Sequence, residues 1–148
     1  MKFIFKDIDK NNWRAVVELK VKSEQLSFIE SNALSIAESK YIKNWVVKAI
    51  YLGEELIGFT MYGLFEDEGG RVWLDRFMID EKFQGKGYAK KILLQLIKHI
   101  SKEFNNDKIY LSIFEENKHA LRLYEDIGFK FNGELDYGGE KVMELNLL

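Results

Sequence analysis

The order of hydrophobic and polar positions along the chain predicts alternating strands and helices. Alternating or continuous apolar runs predict seven strands, at 2–6, Val46–Leu52, Leu56–Leu64, Arg71–Ile79, Ile109–Phe114, Phe129–Asn132 and Lys141–Leu147. Apolar residues three or four apart predict helices over 11–22, about 32–42, 87–104 and 120–127. Gly53-Glu54-Glu55 is interpreted as a three-residue hairpin loop between two of the strands. This order predicts a mixed α/β (α+β) fold with helices on both faces of the sheet.

Composition narrows the chemistry that is available to the chain. With 148 residues, 47% of them hydrophobic, and no proline-rich or low-complexity linker, we expect one domain spanning 1–148. The absence of cysteine removes thiolate metal sites and cysteine nucleophiles, and two histidines make a histidine-rich metal site implausible. The net charge of −2 argues against nucleic acid as a partner. No apolar run is long enough to span a bilayer, so we expect a cytoplasmic location with no membrane partner.

A lysine-only interval stands out in this acidic protein. No acidic residue lies between Glu81 and Glu103, and the interval contains Lys82, Lys86, Lys90, Lys91, Lys98 and Lys102. Lys86, Lys90 and Lys91 lie around Gly85 and Gly87, where a predicted strand is followed by the longest predicted helix. Free N–H groups, the positive end of the helix dipole and nearby ammonium groups together favour an anion such as phosphate. The alternative is a solvated lysine face after a simple glycine turn.

Two motifs resemble one known family. Gln84-Gly85-Lys86-Gly87-Tyr88-Ala89 matches the acyl-CoA motif Gln/Arg-x-x-Gly-x-Gly/Ala of the GCN5-related N-acetyltransferases. Downstream, Asn117 and then Leu123-Tyr124-Glu125-Asp126-Ile127-Gly128-Phe129 resemble the second signature of that family. The resemblance implies the fold of that family, with about six or seven strands and about four helices. It also implies acetyl-CoA as a co-substrate and no metal.

The resemblance also implies roles for individual residues on the acetyl-CoA side. The turn and helix start would hold the pyrophosphate through Gln84, Gly85, Lys86, Gly87, Tyr88, Ala89 and Lys90. Strand residues Phe77, Met78 and Ile79 would pair with the pantetheine arm, and Asn117 would bind the same arm. Tyr124 would lie near the thioester sulfur, where a phenol can protonate a departing thiolate. The alternative for Tyr124 is an ordinary core tyrosine on an amphipathic helix.

Fewer sequence features point to the residues that would bind the acceptor amine. An alkylamine is mostly protonated at pH 7, so some group must take a proton from it. Neither histidine stands in a recognised motif, so the candidates are carboxylates, acting directly or through water. Asp75, on the predicted strand Arg71–Ile79, is the candidate for this role. A structural ion pair with Arg76 or Arg71 explains Asp75 equally well. Phe28 and Glu30 could pack on and neutralise an alkylammonium chain, although an anchored loop with a solvated Glu30 explains them as well. Glu115 is a further acidic candidate for the acceptor site.

Within the family, several segments look most like bacterial spermine/spermidine acetyltransferases. These segments are Gln25–Asn32, Gly63–Phe65, Val72–Phe77 and Ile109–Glu115. We therefore expect direct acetyl transfer to a primary amine of a small polyamine. The alternatives are a protein N-terminus, a lysine or an amino sugar as acceptor, or a non-catalytic acyl-CoA-binding module. A homodimer is possible, because dimers are common in the family resembled.

Overall fold

A computed structural model describes all residues 1–148. It contains seven strands: β1 (Phe3–Asp7), β2 (Trp45–Leu52), β3 (Glu55–Phe65), β4 (Arg71–Ile79), β5 (Lys108–Ile113), β6 (Lys130–Leu135) and β7 (Lys141–Asn146). It contains four α-helices: α1 (Trp13–Glu18), α2 (Asn32–Tyr41), α3 (Tyr88–Phe104) and α4 (Lys118–Ile127). All strands join one mixed sheet in the order β1-β2-β3-β4-β5-β7-β6. The predicted fold class and the predicted order of elements are confirmed.

The helices cover both faces of this sheet because each has one apolar stripe to bury. On one face, α3 contributes Leu93, Leu96 and Ile100 to the largest core cluster, and the inner side of α4 packs against that cluster. On the other face, Val16 of α1 packs with apolar residues of β2, β3 and β4, and Ile36 of α2 contacts the same cluster. The sheet is therefore buried on both sides near its centre. None of the helices is long and apolar enough to cross a bilayer.

The sheet opens between β4 and β5. These two strands run parallel, and Trp73 with Tyr110 is their one register pair. Beyond that pair β4 continues along β3, where Phe77 lies opposite Thr60, but it has no partner on the β5 side. The second half of β4 therefore presents unpaired backbone groups to a cleft, which is where an extended ligand can add to a sheet edge.

A β-bulge interrupts β4 at Asp75. Met61 pairs with Arg76 and the next residue, Tyr62, pairs with Leu74, which leaves Asp75 as the extra residue of β4. The Thr60 hydroxyl donates a hydrogen bond of 2.7 Å to the Arg76 carbonyl beside the bulge. Bulges redirect side chains and increase local twist. The bulge therefore controls how Asp75 is aimed at the point where the sheet opens.

Three predicted boundaries are wrong. The first helix ends at Glu18 rather than residue 22, because the Lys20 N–H donates to the Asp80 carboxylate at 2.9 Å and the chain leaves the helix. The turn between β2 and β3 has two residues instead of three: Glu55 already pairs with Leu52, and Gly53 has φ +62°, as a tight hairpin requires. Strand β6 extends past Asn132 to Leu135, with an irregularity in its pairing to β7.

Candidate active site

The cleft between β4 and β5 widens into a cavity of about 1030 Å³. Most side chains predicted for the site line it: Phe28, Glu30, Asp75, Phe77, Met78, Ile79, Gln84, Gly85, Gly87, Tyr88, Ala89, Lys90, Asn117 and Tyr124. The structure therefore brings together residues from four separate parts of the chain. Two predicted residues, Lys86 and Glu115, do not line the cavity.

One end of the cavity is a turn of backbone at the start of α3. Gly85 and Gly87 have φ of +76° and +78°, and the space in front of each is open, so a Cβ placed there would project into it. The N–H groups of residues 85–90 donate to no acceptor within the protein. These donors meet the positive end of the 17-residue helix α3. The turn therefore fits a pyrophosphate, and exposed Lys86 and Lys90 add positive charge nearby.

The Gln84 side chain braces this turn from within the protein. Its amide nitrogen donates to the Ile79 carbonyl at 2.9 Å and to the Gln25 side-chain oxygen at 3.0 Å. Gln25 donates back to Gln84 at 3.2 Å. Gln25 belongs to a short 3₁₀ helix, Ser23–Phe28, that also lines the cavity. The Gln84 side chain thus joins the phosphate turn to a wall of the cavity.

Helix α4 supplies Asn117 and Tyr124. Asn117 caps the helix, since its side-chain oxygen accepts from the Ala120 N–H at 3.4 Å. Seven residues later, Tyr124 packs edge-on against Phe129 with ring centroids 5.6 Å apart. Burial raises the pKa of Tyr124 to about 12. The phenol therefore keeps its proton at neutral and moderately alkaline pH and is able to donate it.

The other end of the cavity is acidic and is built from side chains. Asp75 forms an ion pair with Arg76, and the Arg76 guanidinium also lies 3.7 Å from a carboxylate oxygen of Glu38 on α2. Burial raises the pKa of Asp75, and the adjacent Arg76 opposes that rise. The structural pairing with Arg76 that the sequence suggested is therefore present, and Asp75 lines the cavity as well.

Phe28 and Glu30 lie on the wall formed by the segment after α1. Phe28 packs against Phe114 of the segment after β5, with ring centroids 6.4 Å apart, so this contact helps to bridge the open side of the cleft. Glu30 is exposed at the rim. Glu115 instead pairs with Lys141 at 2.5 Å, and Lys141 lowers its pKa. The structure therefore does not bring Glu115 to the predicted acceptor site.

The loop between β6 and β7 completes the acidic end, and the sequence analysis did not predict its role. Asp136, Tyr137, Gly138 and Glu140 line the cavity. Asp136 Oδ1 accepts from the N–H groups of Gly138 and Glu140 at 2.9 and 2.8 Å, which holds the loop in a tight turn. Its only sequence signal is two carboxylates flanking Tyr137-Gly138-Gly139, which is typical of any polar turn.

Comparison with known proteins identifies the class. Residues 11–129 match the Acetyltransferase (GNAT) family, so the chain belongs to that family of acetyltransferases. It is 47% identical over 148 residues to a spermine/spermidine N(1)-acetyltransferase of Bacillus subtilis, and the match covers 97% of each chain. The predicted family membership is confirmed.

Solved structures show the same fold at lower sequence identity. The spermidine N-acetyltransferase of Vibrio cholerae in complex with CoA and spermine has a TM-score of 0.74 and 21% identity, over 98% of this chain and 95% of that chain. A dodecameric structure of the spermidine N-acetyltransferase from Vibrio cholerae has a TM-score of 0.70 and 20% identity, over 98% and 94% of the two chains. Both similarities support the fold described above.

Proposed function

We propose that this protein is an acetyl-CoA-dependent N-acetyltransferase that transfers acetyl directly to a primary amine of spermine, spermidine or a related diamine. One observation carries this conclusion: a single cavity has a glycine turn with unpaired N–H groups at one end and a group of carboxylates at the other. An anionic acyl donor and a polycationic acceptor match those two ends. The 47% identity to the Bacillus subtilis enzyme over nearly the whole chain supports the choice of acceptor.

On the donor side, the backbone N–H groups of residues 85–90 bind the pyrophosphate, with Lys86 and Lys90 adding attraction from the surface. The unpaired edge of β4 at Phe77, Met78 and Ile79 hydrogen-bonds the pantetheine arm. Asn117 binds the same arm from the start of α4. Together these contacts hold the thioester at the opening between β4 and β5, where Tyr124 and Asp75 both line the cavity.

In the reaction, the amine nitrogen bonds to the thioester carbonyl carbon and the carbon–sulfur bond breaks. Tyr124 donates its phenol proton to the departing thiolate and regains a proton from the nitrogen as the amide forms. A phenol with a pKa near 12 is fully protonated when this step begins. Asp75 orients the reacting amine, which gives up its first proton directly or through water before it attacks.

The non-reacting part of the polyamine lies along the wall that carries Phe28 and Glu30. The methylene groups of a polyamine can pack on the Phe28 ring, and a neighbouring ammonium group can approach Glu30. Because Glu30 is exposed, its contribution is a modest, salt-sensitive attraction.

We place the reaction in the cytoplasm and propose that the chain forms a homodimer.

The test is release of the free CoA thiol from acetyl-CoA with a panel of acceptors. The panel contains spermine, spermidine, a diaminoalkane, a monoamine, an amino sugar and a lysine peptide with a free N-terminus. We expect the highest kcat/KM with spermine or spermidine, and mass spectrometry should find one acetyl group on a polyamine nitrogen. A higher kcat/KM for the peptide or the amino sugar would overturn the acceptor assignment. Binding of acetyl-CoA without thiol release for any acceptor would favour a non-catalytic module.

A further inference from the structure

Glu140 is a cavity residue to which the reaction above assigns no role. It is the last residue of the turn between β6 and β7 and is only partly exposed. Two hydrogen bonds fix the backbone of Glu140 to Asp136 across the turn. The Glu140 N–H donates to Asp136 Oδ1 at 2.8 Å, and the Glu140 carbonyl accepts from the Asp136 N–H at 2.9 Å. The side chain is therefore attached to a fixed point of the cavity wall.

The groups around Glu140 are mostly acidic. Asp136, on the same turn, accepts the Glu140 N–H through its carboxylate, and Asp136, Asp75 and Arg76 all lie close enough to act on the charge of Glu140. Glu38 of α2 contacts the same Arg76 guanidinium from the other side. Arg76 is thus the one cation among four carboxylates in this part of the cavity.

Asp75 and Glu140 differ in how they are paired. Asp75 is bonded directly to the Arg76 guanidinium, a permanent cation that occupies one of its carboxylate oxygens and opposes the rise in pKa that burial causes. Glu140 forms no ion pair, and the charged groups nearest to it include the carboxyl groups of Asp136 and Asp75. Burial, followed by the charge and the hydrogen bond of Asp136 and the charge of Asp75, raises the pKa of Glu140 to about 7. A general base is most effective when its pKa lies near the working pH.

We propose that Glu140 is the residue that receives the proton removed from the acceptor amine, while Asp75, held by Arg76, orients that amine. This inference rests on the proposed acetyltransferase function. The substrate ammonium loses one proton to the Glu140 carboxylate, directly or through one water, and the neutral nitrogen then forms the carbon–nitrogen bond. As the carbon–sulfur bond breaks, Tyr124 supplies its proton to sulfur and regains a proton from the nitrogen, which thereby loses its second proton. Glu140 finally returns its proton to solvent.

Activity should depend on pH through the charge of Glu140, which Asp136 influences. Below about pH 7, Glu140 carries a proton and cannot accept another, so kcat/KM should fall on the acid side with a midpoint near 7. Removing the negative charge of Asp136 should lower the pKa of Glu140 and move this midpoint to a lower pH. Asp136→Asn is suitable, because the amide oxygen can still accept the two loop N–H bonds.

Loss of folding does not obscure the test. Because the pKa of Glu140 is higher in the folded protein than its ordinary value of 4.5, ionising it disfavours the folded state as the pH rises through 7. Glu140→Gln removes that charge and should melt no lower than the wild type at pH 8. Glu54→Gln, in the exposed turn between β2 and β3, is the matched control for loss of one carboxylate away from the cavity.

The experiment is the pH profile of kcat/KM for spermidine in the wild type and in Glu140→Gln, Asp136→Asn, Asp75→Asn and Glu54→Gln. We expect Glu140→Gln to lower kcat by about a hundredfold and to abolish the midpoint near 7, with the KM for acetyl-CoA changed less than about twofold. Asp136→Asn should shift the midpoint downward, and the position of the midpoint is read independently of any change in the KM for spermidine. Asp75→Asn should be slower and should keep a midpoint that shifts downward less than in Asp136→Asn, because the charge of Asp75 raises the pKa of Glu140 less than that of Asp136 does. Glu54→Gln should match the wild type.

A second acceptor separates proton removal from binding. An aminooxy analogue of a diamine has a reacting nitrogen that is mostly neutral at pH 7 and needs no base to start the reaction. Glu140→Gln should slow this acceptor by no more than about tenfold, against about a hundredfold for spermidine. A wild-type midpoint that persists in Glu140→Gln, or equal losses with both acceptors, would overturn the role of Glu140. Absence of polyamine acetylation by the wild type would instead refute the proposed function.

Discussion

The two ends of the cavity are built in opposite ways. The end at the start of α3 consists of the backbone of one continuous segment, residues 84–90, and the N–H groups of residues 85–90 have no acceptor in the protein because a helix begins there. The acidic end consists of side chains from α2, β4 and the turn between β6 and β7, and also from the segment after α1. The first is a local structure, whereas the second exists only when distant parts of the chain have packed together.

This difference separates the chemistry that the family shares from the chemistry that selects an acceptor. A glycine turn before a helix binds any ligand that carries a pyrophosphate, whatever lies at the other end. The acidic end depends on individual carboxylates whose charge is set by their neighbours, such as Asp75 beside Arg76 and Glu140 beside Asp136. Acceptor specificity can therefore change through a few side chains while the donor end stays the same.

The largest effect is expected at the junction of the two ends. Tyr124→Phe should lower kcat by about a hundredfold or more, because the thiolate then leaves without its proton donor, while affinity for acetyl-CoA stays within about twofold. Steady-state kinetics and calorimetry with CoA test this prediction. Tyr110→Phe, on β5 outside the cavity, is the matched control and should match the wild type. Unchanged turnover in Tyr124→Phe would contradict its role as an acid.

A substitution in the turn should damage the donor end alone. Gly87→Leu should weaken CoA binding by about tenfold to a hundredfold, since the side chain occupies the phosphate position and charge-assisted hydrogen bonds are lost. Gly53→Leu is the control, because Gly53 has a similar positive φ, +62° against +78°, and the same open surroundings in a distant hairpin. Both variants should lose similar thermal stability. If calorimetry finds the same CoA affinity for Gly87→Leu as for Gly53→Leu, the turn before α3 does not hold the donor.

At the acidic end, Asp75→Asn should discriminate between acceptors. We expect the KM for spermine to rise about tenfold and the KM for a monoamine such as butylamine to rise less, because only a polyamine brings several charges to this end. The KM for acetyl-CoA should stay unchanged, which would separate the two ends experimentally. An equal rise for both amines would instead assign Asp75 a structural role with Arg76.

The smallest effect is expected at the rim. Glu30→Gln should raise the KM for spermine about two- to threefold at low salt and less at high salt, since an exposed charge is screened. Glu115→Gln is the matched control, because Glu115 is paired with Lys141 outside the cavity. If the two variants raise the KM for spermine equally, Glu30 has no specific part in acceptor binding.

Prediction from sequence succeeded where the signal was local. The stripe Leu93, Leu96, Ile97 and Ile100 identified α3, and the glycine pair before it identified the turn at which that helix begins. Prediction from sequence failed where a contact between distant residues decides where a helix ends or which partner a side chain has. Helix α1 is shorter than predicted because Asp80, sixty residues away, binds the Lys20 N–H. Glu115 resembled a site residue, but its partner Lys141 belongs to a strand that pairs with β5 only after folding.

The sequence by itself determined the family, the order of the elements and the glycine turn before α3, because each depends on residues that are neighbours along the chain. Tertiary structure alone decided the acidic end of the cavity. Only the folded sheet opens between β4 and β5, aims Asp75 through a bulge, and places Asp136 and Glu140 in the same cavity. The physical reason is that the charge state of a carboxylate depends on burial and on neighbouring charges, and packing brings those neighbours together.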